Sequence, residues 1–156
     1  MAKYELEDLL RVRHIRKDRA EKELKEAKDL LVQAEQAVAK AKQELEDYKV
    51  FVKNETIRLY DEIMNKTIHR NDIDSLNFMI KELHSRIFEY ERRVEAAIAE
   101  CDKAKENVEN KREALRQAER NIDKIQTLKE RWIEEMKFEE ERKMDAEAED
   151  LVVKAR

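Results

Sequence analysis

Neither glycine nor proline occurs anywhere in the 156 residues. Those two residues make the tight turns, strand bends and phosphate-cradling loops on which most enzyme folds depend, so their absence excludes most such architectures. Cysteine is nearly absent as well. The single Cys101 cannot form an internal disulfide, which fits a reducing compartment. Aromatic residues make up only 6% of the chain. No apolar stretch approaches the roughly 20 residues of a membrane span. The segment from Met1 to Lys22 is too charged for a secretory signal peptide, so the expected location is cytoplasmic, without membrane insertion.

What the chain has is charge. Charged residues make up 46% and apolar ones 41%, the balance of a coiled coil or long helix rather than of a globular core. A two-helix hairpin buries one narrow seam per helix and offers no interior in which to desolvate a catalytic group or enclose a cofactor. The expectation is therefore a protein that is not an enzyme and holds no cofactor or metal. With 34 basic and 38 acidic residues the net charge is −4, which advertises neither nucleic acid nor an anionic membrane.

Apolar residues recur in steps of four and three through Ala20, Leu24, Ala27, Leu31, Ala34, Val38, Ala41, Leu45, Tyr48 and Val52. This is a heptad seam. It extends back to Leu10 and Leu6 through Arg13 and Lys17, and forward past Glu55 to Leu59. A second seam starts at Ile73 and runs through Leu76, Ile80, Leu83, Ile87, Tyr90, Val94, Ala97, Cys101, Ala104 and Val108. After Lys111 it resumes with Leu115, Ala118, Ile122 and Ile125, breaks at Lys129 and closes with Trp132 and Met136.

Between the seams, residues 65–72 form the one stretch rich in cap and turn residues. Asn65 is suited to the left-handed conformation that ends a helix, and Asn71 or Asp72 to capping the next. The predicted fold is all-α: a single antiparallel two-helix coiled-coil hairpin, with helix one over about 4–64, the turn over about 65–71 and a longer helix two over about 72–154. At ~1.5 Å per residue these helices are about 90 and about 120 Å long. Reversal near Ile68 sets Tyr48 near Phe88 and Leu10 near Ile125. About twenty residues after Trp132, ending in an acidic tract to Asp150, have no partner in the hairpin.

No motif for metal or nucleophilic chemistry is present. His14, His69 and His84 lack an acidic residue three positions earlier, His-Glu-x-x-His and Cys-x-x-Cys are missing, and no histidine is placed to activate Cys101. Surface histidines and a packed thiol are the plain reading. The basic run Arg11, Arg13, Arg16, Lys17, Arg19, Lys22 admits three: pairing with Glu119 and Asp123 across the hairpin, docking of a protein, or binding of nucleic acid. No interleaved aromatic supports the last. Phe51, Tyr60, Phe78 and Phe88 fall off the seams and, with Tyr48 and Tyr90, cluster in the half nearest the turn, as contact anchors do. Trp132 and Phe138 mark the other end.

The run Asp18-Arg19-Ala20-Glu21-Lys22, the turn Asn65-x-Thr67-Ile68-x-x-x-Asp72-Ile73 and the tail from Lys129-Glu130-Arg131-Trp132 onward resemble the YscO proteins of bacterial type III secretion, relatives of the flagellar export protein FliJ. The resemblance covers the whole chain. It implies a cytoplasmic stalk, peripheral to the secretion apparatus at the inner membrane and monomeric by itself, whose partners are the type III export ATPase, the cytoplasmic domain of the export gate and export chaperones. The end carrying both termini would meet the ATPase through Arg13, Arg16, Lys17, Trp132 and Met136. The turn half would meet the gate or chaperones. The FliJ-like Leu-x-x-Tyr pattern matches Leu45 and Tyr48, and a later Phe-and-Leu stripe matches Phe78 or Met79 and Leu83, with Phe51 beside them. The relatives' stripe carries a polar residue where Ala41 stands and a second Tyr where Val52 stands. An adaptor that escorts and recycles chaperones is the alternative role.

Overall fold

The computed structural model describes residues 5–155. Two helices account for nearly all of them: α1, Glu7–Met64, and α2, Arg70–Ala155. They pack as an antiparallel hairpin in which α2 is longer, 86 residues against 58. Position 4, the expected start of the first helix, lies outside the described residues.

The connection is solved differently from the expectation. No described residue has positive φ, so Asn65 does not terminate α1 in the left-handed region. A residue with a Cβ is strained there, and the helix instead tightens, Lys66 N donating to the Ile63 carbonyl at 3.2 Å. At the start of α2 neither Asn71 nor Asp72 is the first cap. His69 occupies that position, its carbonyl accepting from Asp72 N at 3.0 Å, while the Asp72 carboxylate reaches back to accept from His69 N at 3.2 Å. This is the acidic half of a capping box, and it starts the helix at Arg70, ahead of the expected residue 72. Ile68 is half-buried, whereas Met64 is 81% exposed.

Burial follows the heptad seams closely. Along α1 the positions from Ala20 to Val52 in alternating steps of three and four are buried or half-buried, and along α2 so are those from Leu76 to Met136. Ile73 is the exception, 46% exposed, because it lies in the first turn of α2 and contact with α1 begins one turn later. Every described residue from Lys137 to Ala155 is exposed.

The chain divides into two compact units. One comprises Met1–Lys25 with Asn110–Arg156, the other Glu26–Glu109. In the first, Leu10, Ile122 and Ile125 form a buried cluster against which Leu6 and Trp132 pack. The expected meeting of Leu10 and Ile125 is observed. In the second, the buried apolar residues are Ala27, Val52, Leu76, Cys101 and Val108. Tyr48 does not meet Phe88 there. It stacks on Tyr90 at 4.4 Å, and Phe88 is 67% exposed, since the hairpin pairs seam positions and Phe88 is not one of them.

The seam breaks are also explained. Lys111 and Lys129 reach across to α1, Lys111 to Glu23 at 3.3 Å and Lys129 to Glu7 at 2.9 Å. The pairing of the basic run with Glu119 and Asp123, one of three readings open from sequence, is not among the described ion pairs. Lys17 bonds Glu21 at 3.6 Å and Arg19 bonds Glu23 at 3.3 Å along the same helix, one turn being the shortest reach for a flexible cation.

Candidate interaction surfaces

In the turn-proximal unit the seam surfaces at one flank as a groove that mixes apolar and charged side chains. Tyr48 is half-buried, and its phenolic hydroxyl donates to the Leu83 carbonyl at 3.0 Å. Desolvation lifts its pKa above the ordinary tyrosine value. With Tyr48 fixed by this bond and by Tyr90, the ring of Phe51 three residues on leans outward, 5.9 Å from Tyr48 and 50% exposed. Phe51 lies between two shallow depressions. One includes Tyr48, Tyr90 and Arg93, with the Arg93 guanidinium 4.7 Å from the centre of the Tyr90 ring. The other, about 480 Å³, includes Met79, Leu83, Leu59, Arg58 and Arg86.

One charged cluster borders this groove. Arg58 bonds both carboxylate oxygens of Glu55 and reaches Glu62 at 2.6 Å, and its guanidinium holds the Glu55 carboxyl below the ordinary carboxylate pKa. The accessible chemistry is thus an aromatic ring and a thioether beside the Arg58–Glu55–Glu62 cluster, with Glu82 and Arg86 on the same lining. Met79 is 52% exposed. Of the residues assigned from sequence to the gate side, Tyr48, Phe51, Met79 and Leu83 are brought together here. Leu45 is half-buried on the seam and does not line the groove, and Phe78, 64% exposed, does not line it either. Arg58, Arg86 and Arg93 were missed, although their spacing of three or seven from Glu55, Met79 and Arg86 placed them on the same faces.

The unit that carries both chain ends differs in character. Arg13 and Arg16 line a groove of about 340 Å³ whose floor is Ala20, Ala114 and Ala118 and whose far rim is Gln117 and Asn121. Lys17 is half-buried and held by Glu21. Trp132 packs against the Leu10, Ile122 and Ile125 cluster, and Met136 is the last half-buried residue of α2. The five residues assigned to this end therefore separate into a half-buried and an exposed arginine outside any described ion pair, one paired lysine and two that close the hydrophobic seam. Gln117 and Asn121 are not legible from sequence as sharing a groove with Arg13, because only the pairing of the helices sets them opposite.

Other chemistry is not assembled. No group of three or more acidic, histidine or cysteine side chains suited to a metal occurs among the described residues, and no described helix is long and apolar enough to cross a membrane.

Residues 6–154 match the family model described as type III secretion protein YscO. The chain belongs to the YscO family. It is 28% identical over 133 residues to the Yop proteins translocation protein O of Yersinia pseudotuberculosis, an alignment covering 85% of this chain and 82% of that protein. Among solved structures, the YscO homolog CT670 from Chlamydia trachomatis superposes with a TM-score of 0.80 at 25% identity, covering 97% of this chain and 93% of its own. YscO from Vibrio parahaemolyticus shares the fold with a TM-score of 0.84 at 23% identity, covering 93% and 91%. The resemblance seen in the short sequence motifs is thus the family relationship, and the chain is a YscO-like type III secretion protein.

Proposed function

We propose that this YscO-family chain is a non-enzymatic central-stalk component that links the export ATPase ring to the cytoplasmic domain of the export gate. It would act in the cytoplasm, peripheral to the secretion apparatus at the inner membrane. The observation that carries this reading is the division of exposed chemistry between the two units. One offers a groove with two arginines outside any described ion pair, and the other offers Phe51 and Met79 in a depression whose acidic and basic side chains are mixed. A linker must engage two partners at once without competition, and surfaces of different chemistry on separate units meet that requirement.

On this reading Arg13, Arg16, Lys17, Trp132 and Met136 belong to the ATPase side. Leu45, Tyr48, Phe51, Phe78, Met79 and Leu83 belong to the gate or chaperone side. No bond is made or broken by the chain itself. Its contribution is binding energy, which biases the gate only insofar as the stalk binds one gate conformation better than another.

The test uses the full chain with purified ATPase, gate domain and chaperones. Arg16→Glu combined with Lys17→Glu should abolish ATPase binding and secretion while leaving gate binding intact, and Phe51→Asp combined with Met79→Asp should do the reverse. The exposed Phe51 and Met79 also suit an apolar chaperone surface, which favours the escort role as a second reading. Loss of chaperone binding alone in the Phe51 and Met79 variant, with ATPase and gate binding preserved, would select the escort role and reject the stalk.

A further inference from the structure

The side of a helix turned away from its coiled-coil seam ordinarily carries charged and polar residues. The turn-proximal part of α2 departs from that rule. On its outward side Asp74, Phe78, Lys81, Ser85, Phe88 and Arg92 follow one another in alternating steps of four and three, the spacing of a second heptad stripe, and all six are exposed. Phe78 is 64% exposed and Phe88 67%, so α1 covers neither ring. Among the described residues neither Asp74 nor Arg92 takes part in an ion pair, whereas Arg58 of the same unit bonds Glu55 and Glu62.

The order of these residues is self-complementary. Phe78 and Phe88 lie five residues before and after position 83, and Asp74 and Arg92 lie nine before and after it. A two-fold axis at that position, relating two antiparallel copies of α2, therefore sets Phe78 against Phe88 of the second copy and Asp74 against Arg92 of the second copy, and the symmetry repeats both pairs. Between the ring pairs Lys81 meets Ser85. The Ser85 hydroxyl already donates to the Glu82 carbonyl at 2.7 Å, so it asks for no partner, and its small side chain leaves room for the apolar stem of the lysine. Glu82 of each copy approaches the axis, where the two Lys81 ammonium groups offset the like charges. A foreign helix could use the two rings, but it does not require rings and opposite charges to stand at equal distances from one centre. A contact between identical faces does.

We infer that the outward face of α2 between Asp74 and Arg92 is a self-association surface that receives a second copy of this chain, α2 against α2 and antiparallel, with the α1 of each copy on the far side. The rings supply the apolar centre of each half, and the Asp74–Arg92 pairs at both ends fix the register. About five turns of helix bury less than the ~1,200–2,000 Å² of a lasting interface, so the pairing is weak and reversible and the dilute chain is monomeric. The inference goes beyond the stalk reading and does not depend on it. Because the pairing covers Phe78, a protein that docks on that ring competes with the second copy.

Sedimentation equilibrium of the full chain between about 10 μM and about 1 mM tests the surface, and it should show a reversible exchange of monomer and dimer. Phe88→Asp should weaken dimerisation at least about thirtyfold, because the two-fold axis repeats the substitution and removes both ring pairs. Asp74→Arg and Arg92→Asp should each weaken it about fivefold or more by setting like charges opposite one another at both ends. Asp74→Arg combined with Arg92→Asp should return it to within about twofold of the original chain, a rescue that a different register or a parallel pair does not give. All three positions are exposed, so the variants should melt with the original chain, which separates lost pairing from lost folding. A chain that stays monomeric across the whole range overturns the inference, as does a dimer that survives Phe88→Asp or a pair of charge reversals without rescue. Binding of the purified gate domain that Phe88→Asp abolishes, with no dimer at any concentration, would make the face a foreign partner's and overturn it as well.

Discussion

Lys111 Nζ lies 3.3 Å from Glu23 Oε2, joining the two helices at a point where the apolar seam of α2 is interrupted. The hydrogen bond from Lys111, then its charge, hold the Glu23 carboxyl below its ordinary pKa of 4.5, with Arg19 adding to the effect. A carboxyl whose folded pKa is depressed contributes stability at pH values above its unfolded pKa, and that contribution disappears as pH falls through the folded value. Glu23→Gln should therefore lower the melting temperature at neutral pH, and the difference from the original chain should vanish by about pH 2. Thermal melts followed by circular dichroism at both pH values check this, and a difference that persists in acid would contradict it.

Tyr48 links the helices by stacking and by a hydrogen bond. Tyr48→Phe keeps the stack on Tyr90 and loses only the bond to the Leu83 carbonyl, so it should cost about 1 kcal/mol. Tyr48→Ala loses the ring as well and should cost about 2 kcal/mol or more, short of the roughly 3–5 typical of fully buried aromatics. Chemical denaturation of the two variants gives the comparison.

Desolvation also predicts that Tyr48 ionises above the ordinary tyrosine value. Alkaline titration of phenolate absorbance, repeated on Tyr48→Phe, should show the missing component at the high-pH end of the curve.

Trp132 is the one tryptophan, and it rests on the Leu10, Ile122 and Ile125 cluster. Deleting residues 1–10 should shift its emission to the red by exposing the indole, while the Tyr48–Tyr90 stack in the other unit remains. Ile125→Ala should destabilise by about 2–4 kcal/mol through the lost burial and the cavity left behind. Fluorescence-detected unfolding reads both effects.

The residues from Lys137 to Ala155 are exposed and have no facing helix among the described residues, and helix propensity by itself supports a segment of this length only marginally. Their amides should exchange with solvent far faster than those between Cys101 and Ile125, and truncation after Met136 should leave the melting temperature nearly unchanged. Slow exchange across the tail in the free protein would show that something other than α1 supports it.

Much of this molecule was written in the spacing of its apolar residues. The absence of glycine and proline and the alternation of three and four dictated two long helices with matching seams, because a 3.5-residue period is a property of the chain alone. Unequal arms followed from the lengths of the seams, and the family from a few short motifs. Facing partners were decided only in the folded hairpin. Periodicity tells which side of a helix is apolar, but not which residue of the other helix meets it, since that depends on how the connection closes. Thus the turn, ended by a tight bond at Lys66 and restarted by His69 and Asp72, placed Tyr48 on Tyr90 rather than Phe88 and aligned Lys111 with Glu23. Packing likewise left Nε of Arg13 dry without a partner, which one helix read alone could never reveal: a lost hydrogen bond exists only once neighbouring atoms exclude the water that would have made it.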